Sequence, residues 1–397
     1  MSSKYSNTKF DNIINRNQTQ ANTLELRENL FGKKDVIPLW VADMDFETPE
    51  FIRNAVIDRA KHEIYGYTLK SEDYYFAIQN WLKKRYNWNI SKESIFFSPG
   101  VVPGLVLCIL ALTNPGDKIL IQTPVYFPFF TSIEGNGREL LVNPLKEING
   151  DYKMDFEDLK SKIDSKTKMI LLSSPHNPVG RVWKKDELDE LLEICIANDI
   201  IIVSDEIHSD LVFAPNKHIP IASLSDKAKL QTITLMSPTK TFNMAGLSTS
   251  YLIIENELFI EKFKAILNSY HLFHGNLFGN VATEAAYKYG EEWLERLLEY
   301  TEKNIDYVNH FFATHIPMLH FQKPEGTYLL WIDFRSLGMN DIELKEFLVH
   351  RAGIGLNQGS VFGENGSGFM RMNVACPRSI LKKAMTQLKT AIASLEL

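Results

Sequence analysis

The chain has 397 residues, 45% of them hydrophobic, and 43 Lys+Arg against 49 Asp+Glu give a formal net charge of −6. That length suits one large core with a smaller companion, and the interspersed charges, with no Lys/Arg block, argue against nucleic acid or an anionic membrane as the main partner. Cys108, Cys195 and Cys376 are too few and too scattered for a disulfide framework or a CxxC metal or redox pair, so no metal site and a reducing, cytoplasmic setting are expected.

Residues 1–20 are polar and lack the apolar run of a secretion signal. The first segment, to about residue 45, has no strong periodicity. The stretch 101–113 is apolar but contains Pro103 and Gly104 and is shorter than a membrane span, so it predicts a buried helix. Strands are predicted at 95–97, 118–122, 139–142, 169–173, 200–204, 232–236 and 251–254. Several are unbroken Ile/Leu/Val runs, as expected of strands covered on both faces. Helical patterns such as 185–198 lie between them. The alternation predicts an α/β domain whose mostly parallel central sheet is sandwiched by helices. From residue 291 the pattern changes to a long helix (291–315), a strand (327–334), a helix (341–351), a strand (369–374) and a final helix. This is a smaller α+β domain. The expected division is 48–290 for the large domain, with 1–47 and 291–397 forming a discontinuous second one.

Ligands of open α/β sheets collect beyond the carboxyl ends of the strands. Five successive strand ends here deliver Gly100-Val101-Val102 at a helix start, Tyr126, Asn177 between two prolines, Asp205 with His208, and Lys240 flanked by Ser237 and Thr239. Singly each has an ordinary explanation. Asp205 suits a helix N-cap, Lys240 a solvated surface site, Asn177 a turn and Tyr126 a packing aromatic. Together they match one ligand, pyridoxal 5′-phosphate. A lysine in a poorly solvated pocket can form a Schiff base with its aldehyde. The Asp205 carboxylate would favour a protonated pyridine nitrogen. The helix start and the hydroxyls of Ser237 and Thr239 would take the phosphate. Tyr126 would stack on the ring and Asn177 would bond its oxygen. An amino-acid substrate also brings a carboxylate, and the fork of Arg371 is its best-matched clamp; an ordinary surface ion pair is the competing reading of that arginine. No GxGxxG follows an N-terminal strand and no GxxxxGK[ST] occurs, which removes dehydrogenase and kinase readings. The pair Gly353-Ile354-Gly355 reads as a turn before a strand.

Over nearly its whole length the chain resembles the fold-type I pyridoxal-phosphate enzymes of the aminotransferase class I/II superfamily. Within it, the chain is most similar to the MalY/PatB-type, cystathionine β-lyase-like carbon–sulfur lyases. The resemblance rests on Trp40-Val41-Ala42-Asp43-Met44-Asp45-Phe46, Tyr65-Gly66-Tyr67, Thr123-Pro124-Val125-Tyr126, Pro175-His176-Asn177-Pro178, Ser204-Asp205-Glu206-Ile207-His208, Thr239-Lys240-Thr241-Phe242-Asn243 and Arg371-Met372-Asn373-Val374-Ala375-Cys376-Pro377-Arg378. It implies Lys240 as the Schiff-base lysine, Asp205 as the pyridinium partner, and Arg371 on the substrate carboxylate. It also implies a homodimer in which Tyr67 reaches the neighbouring subunit's phosphate. His208 stands where many aminotransferases have a cofactor-binding tyrosine, and Gly246-Leu247-Ser248 replaces a phosphate-binding arginine. Both departures suit the lyase subgroup. Pro238 within the lysine motif has no evident role in the sequence. The segment 40–46, with Ala42 and Asp43, and the loop 361–368 are expected to shape the substrate pocket.

The implied reaction is β-elimination from L-cystathionine or a related cysteine S-conjugate, giving pyruvate, ammonia and a thiol. Lys240 serves as general base, and Lys240 or Tyr126 assists the leaving sulfur. An aminotransferase needs the same residues and is the first alternative. A regulatory protein that retains the fold and binds a transcription factor is the second.

Overall fold

The computed structural model describes residues 9–395. The first eight residues of the polar stretch 1–20, which also open the segment 1–47 assigned to the second domain, lie outside the described residues.

The predicted strands form β1 (Ile95–Ser98), β2 (Lys118–Ile121), β3 (Glu139–Val142), β4 (Thr167–Ser173), β5 (Ile201–Asp205), β6 (Thr232–Met236) and β7 (Ser250–Ile254). They make one seven-stranded sheet in the order β1-β7-β6-β5-β4-β2-β3. Every neighbouring pair is parallel except those of β7, which runs against both β1 and β6. A parallel return needs a crossover, usually a long helix. Only a four-residue helix and a 3-10 turn separate β6 from β7, so the chain doubles back.

The unbroken apolar runs have the predicted cause. Met169 and Leu171 of β4 pack with Val203, Ile119 and the buried helix α1 (Val101–Leu112) on one face. Their neighbours Ile170 and Leu172 pack with Leu188, Leu191 and Trp183 on the other, where α2 (Lys185–Ala197) lies. Alternate side chains point to opposite faces of a strand, and both faces are dry. Gly104 lets α1 sit close to the sheet: a Cβ there would stand 2.6 Å from Leu235 Cδ2.

The C-terminal third contains α4 (Glu291–His315), preceded in the chain by the short α3 (Pro238–Thr241), and α5 (Arg378–Ala393). Its three-stranded sheet places β10 (Phe369–Asn373) between β8 (Leu329–Asp333) and β9 (Asn357–Gln358). The predicted helix 341–351 is α-helical only over Asp341–Glu346 and finishes as a π turn, Phe347–Arg351. Gly353 then turns the chain at φ +66° into the short strand Ile354–Gly355. That strand pairs with Ile37–Pro38, and Phe10, Leu39 and Phe46 share a hydrophobic cluster with Leu297, Tyr300 and Met372. The N-terminal segment therefore runs along the C-terminal third and brings residues 40–46 to the carboxyl edge of the large sheet. Among the described residues no helix is long and apolar enough to cross a membrane, and the three cysteines are buried and unpaired.

Candidate active site

Lys240 is carried on α3. Ser237 caps it, accepting from the Thr239 N–H at 3.1 Å while its hydroxyl also bonds the Thr249 carbonyl at 2.7 Å. Pro238 occupies the first helical position, where a missing N–H costs nothing; this explains a residue the sequence left without meaning. From below, the Thr241 hydroxyl donates to Asp210 Oδ2 at 2.9 Å, and Asp210 also accepts from Trp81 Nε1 at 3.0 Å and Tyr86 Oη at 2.6 Å. The lysine is partly buried, not a solvated surface group, and its amine donates to the Ala42 carbonyl at 2.5 Å. Burial and, less, the Arg371 charge lower its pKa to about 8, against opposing pulls from Asp43 and Asp205.

Asp205 closes β5, in register between Ser173 and Leu235. It is not an N-cap: residues 207–210 are turns, and its carboxylate accepts the Ile207 N–H at 3.1 Å. It is 7% exposed and, among the described residues, ion-paired to no cation. Burial pushes its pKa up to about 7; the Ile207 bond and the Lys240 charge pull down, and Glu206 pushes up. A carboxylate this dry requires a cationic partner to ionise, and a protonated pyridine nitrogen would be one. His208 is buried nearby, neutral because burial, Lys240 and Arg371 lower its pKa to about 3, and its Nδ1 has no hydrogen-bond partner among the described residues.

Arg371 sits at the centre of the small sheet, opposite Trp331 on one side and Asn357 on the other. It is buried, which rules out the surface ion pair. Its guanidinium donates to Asn177 Oδ1 at 3.0 Å, Asn357 Oδ1 at 2.7 Å and the Trp40 carbonyl at 3.0 Å, and lies over the Phe362 ring at 4.9 Å. Nε is unpartnered. Burial lowers its pKa to about 10, with Tyr126 and Tyr328 pulling up, so it stays charged at neutral pH. Tyr126 feels both Arg371 and Asp205, and burial raises its pKa.

Lys240, Asp205, His208, Asn177, Tyr126, Arg371, Ala42 and Asp43 thus face one crevice. Ser237 and Thr239 flank it on α3, and Gly100-Val101-Val102 open α1, whose first turn has no side-chain cap. A dry unpaired carboxylate, a lysine of depressed basicity, an unpartnered His208 nitrogen and free helix-start N–H groups fit an aromatic phosphate ester bearing an aldehyde. Tyr67 stands apart on the surface, 96% exposed.

Sequence reasoning gave no role to three contributors. Asn373 donates to the carbonyls of Val41 and Asp43, both at 2.6 Å, and the Tyr328 hydroxyl donates to Ala42 O at 3.0 Å. Asn373 follows Arg371 by two on a predicted strand and so shares its face, a signal that was available; Tyr328 gave none. Asn243, quoted only as part of a motif, pins Met44 and Phe46 through their backbone. A cavity of about 860 Å³ opens beside the crevice, lined by Arg16, Asp43, Asp45, Asn243 and Gly246 among others.

Comparison with known proteins gives a consistent picture. The family model described as aminotransferase class I and II matches residues 34–388. Cystathionine beta-lyase PatB of Bacillus subtilis is 41% identical over 97% of this chain and 100% of its own. Protein MalY of Escherichia coli is 31% identical over 96% of this chain and 98% of its own. The crystal structure of the PLP-bound C-S lyase from Staphylococcus hominis superposes with a TM-score of 0.90 at 36% identity, covering 99% of both chains.

Proposed function

The chain belongs to the aminotransferase class I and II family, and we propose that it is a carbon–sulfur β-lyase acting on L-cystathionine or a related cysteine S-conjugate. The products are pyruvate, ammonia and a thiol, which is homocysteine when cystathionine is the substrate. The Lys240 amine set beside the Asp205 carboxylate, with the Arg371 fork across from both, supports pyridoxal-phosphate chemistry on an amino acid. The observation that carries lyase over aminotransferase is the 41% identity to cystathionine beta-lyase PatB over 97% of the chain.

Pyridoxal 5′-phosphate, when bound, supplies the electron sink for the pair left on the substrate Cα. The residues divide the remaining work. Arg371 clamps the substrate carboxylate through its fork, with Asn177 and Asn357 fixing its plane. Lys240 takes the Cα proton; a pKa near 8 leaves a useful neutral fraction at physiological pH. Asp205 would hold a negative charge toward the ring nitrogen, Asn177 would offer a donor to the ring oxygen, and Tyr126 would stack on the ring. His208, neutral, would line the cofactor pocket without adding charge. Gly100-Val101-Val102, Ser237 and Thr239 supply phosphate donors, and Ala42 and Asp43 wall the substrate side chain. The Cβ–S bond breaks with its electron pair going to sulfur, which receives a proton from Lys240, with Tyr126 beside it. Water hydrolyses the three-carbon enamine to pyruvate and ammonia.

We further infer a homodimer with shared sites, supported by the exposed Ile64, Tyr65, Tyr67, Leu69 and Phe76, in which Tyr67 reaches the phosphate of the neighbouring subunit. A cytoplasmic location is supported by three unpaired cysteines. The division into 48–290 and a discontinuous 1–47 plus 291–397 is supported by the pairing of Ile37–Pro38 with Ile354–Gly355. The test of function is incubation of the purified holoenzyme with cystathionine and no keto acid. Pyruvate and free thiol are expected in equal amounts; turnover only when a keto acid is added would overturn the lyase reading in favour of an aminotransferase.

A further inference from the structure

Between Leu39 and Met44 the backbone is held by side chains and strands from two directions. Asn373 N bonds Leu39 O at 2.8 Å, Arg371 takes Trp40 O, Asn373 Nδ2 takes Val41 O and Asp43 O, and Asn243 takes Met44 O. One carbonyl in this series, that of Ala42, serves two donors at once: the Lys240 amine at 2.5 Å and the Tyr328 phenol at 3.0 Å. Tyr328 is 1% exposed, its ring lies edge-on to His208 at 6.1 Å, and its own backbone is tied to β10 through the Val374 N–H at 3.0 Å. The phenol therefore has a fixed position, and the flanking bonds of Asn373 keep the carbonyl from following either donor.

We propose that Tyr328 is a positioning residue for Lys240, sharing the Ala42 carbonyl so that the lysine amine is held in place only loosely and is free to leave it. The argument rests on the reading of Lys240 given above. A carbonyl with two donors gives each a weaker bond than it would give one alone, and a bond to the ammonium form favours that form. Removing the phenol leaves the whole oxygen to the ammonium, which then grips harder and gives up its proton less readily. The other charged or titratable groups around the pair are Asp205 from β5, Arg371 from β10, Asp43 from the 40–46 segment, His208, and Tyr126 from the turn after β2. Deleting one phenolic oxygen removes none of these groups; of them Arg371 loses the small upward pull of Tyr328 and stays charged.

The test is Tyr328→Phe in the full chain. The first readout is the rate at which the chain, stripped of cofactor, takes up added pyridoxal 5′-phosphate, followed by absorbance across pH; this needs a neutral amine but no lyase chemistry. The midpoint is expected to move up by about half a pH unit, a roughly threefold slower uptake below it. The acidic limb of kcat in the reconstituted enzyme should move the same way, with the Michaelis constant changed little. An unchanged or lowered midpoint overturns the proposal. A packing role alone predicts that Phe behaves as wild type and that only Tyr328→Leu, which removes the ring, departs from it. Failure of the wild-type chain to take up cofactor at all would instead strike the role given to Lys240, and this inference with it.

Discussion

Replacing Asp205 by asparagine should destroy activity and yet stabilise the cofactor-free chain, in a pH-dependent way. The carboxyl has a folded pKa of about 7 against an ordinary 3.8, raised first of all by burial. A raised folded value means that the folded chain holds a proton the unfolded chain has lost. The contribution is therefore intact below about pH 4, falls as pH rises, and is gone above about pH 7. At 1.36 kcal/mol per pH unit the ceiling of the loss is ~4 kcal/mol, and about half of that is a realistic expectation for a site that water and Lys240 can relax. Asparagine keeps the acceptor for the Ile207 N–H and has nothing to ionise. Urea unfolding of the two cofactor-free chains at pH 4.5 and pH 8 checks this. An advantage of about 1 kcal/mol for Asp205→Asn is expected at the lower pH and of about 2 kcal/mol at the higher. A gap of the same size at both pH values, or none at either, would refute the reasoning. Reconstituted Asp205→Asn should lose several orders of magnitude in rate, because the charge at the ring nitrogen is gone.

Three further variants report on separate parts of the site. Lys240→Ala should abolish pyruvate formation and the absorbance of lysine-bound cofactor; retained turnover would contradict the assignment. Arg371→Lys loses the fork and two of its three partners' geometry, and should raise the Michaelis constant by about tenfold or more with a smaller change in kcat, measured by steady-state kinetics. Asp210→Asn places an amide where Trp81, Tyr86 and Thr241 all donate, and should cost about 2 kcal/mol of stability, read as a lower melting temperature, and slow the enzyme by loosening α3.

The strand runs were legible because a strand buried on both faces must be apolar throughout, and five strand ends pointed to the crevice because four carried a polar side chain and the fifth a glycine opening a helix. Helix 291–315 and strands 139–142 and 232–236 have the bounds that periodicity assigns them. The reversal of β7 was not legible: Ser250–Ile254 looks like any other buried strand, and its direction depends on a connection too short to cross the sheet. Nor was the π turn at Phe347–Arg351, which keeps the helical spacing of its apolar residues. At the site, side chains with charge or unusual chemistry could be found from the sequence. Tyr328 and the carbonyls of residues 40–43 could not, since a carbonyl carries no residue identity and its use is fixed only by tertiary packing.

What separates this crevice from the rest of the interior is how its charges are left. Several buried charges elsewhere are answered within the chain. Arg181 meets Glu187 and Glu325, both at 2.9 Å, and Glu206 meets His218 at 2.7 Å. Arg138 is satisfied by the Thr113 hydroxyl and carbonyl. Leaving such a group unanswered costs several kcal/mol, and a fold with ordinary stability tolerates few such sites. Yet among the described residues Asp205 has no cation, Lys240 has a shared carbonyl, and His208 Nδ1 and Arg371 Nε have no partner, all within one crevice. One bound molecule with a ring nitrogen, an aldehyde and a phosphate, joined by a substrate with a carboxylate, would answer each of the two charges and occupy the amine. The cost of burying these groups would thus be recovered on binding, which is why the same asparagine that should stabilise the cofactor-free chain should leave it unable to work.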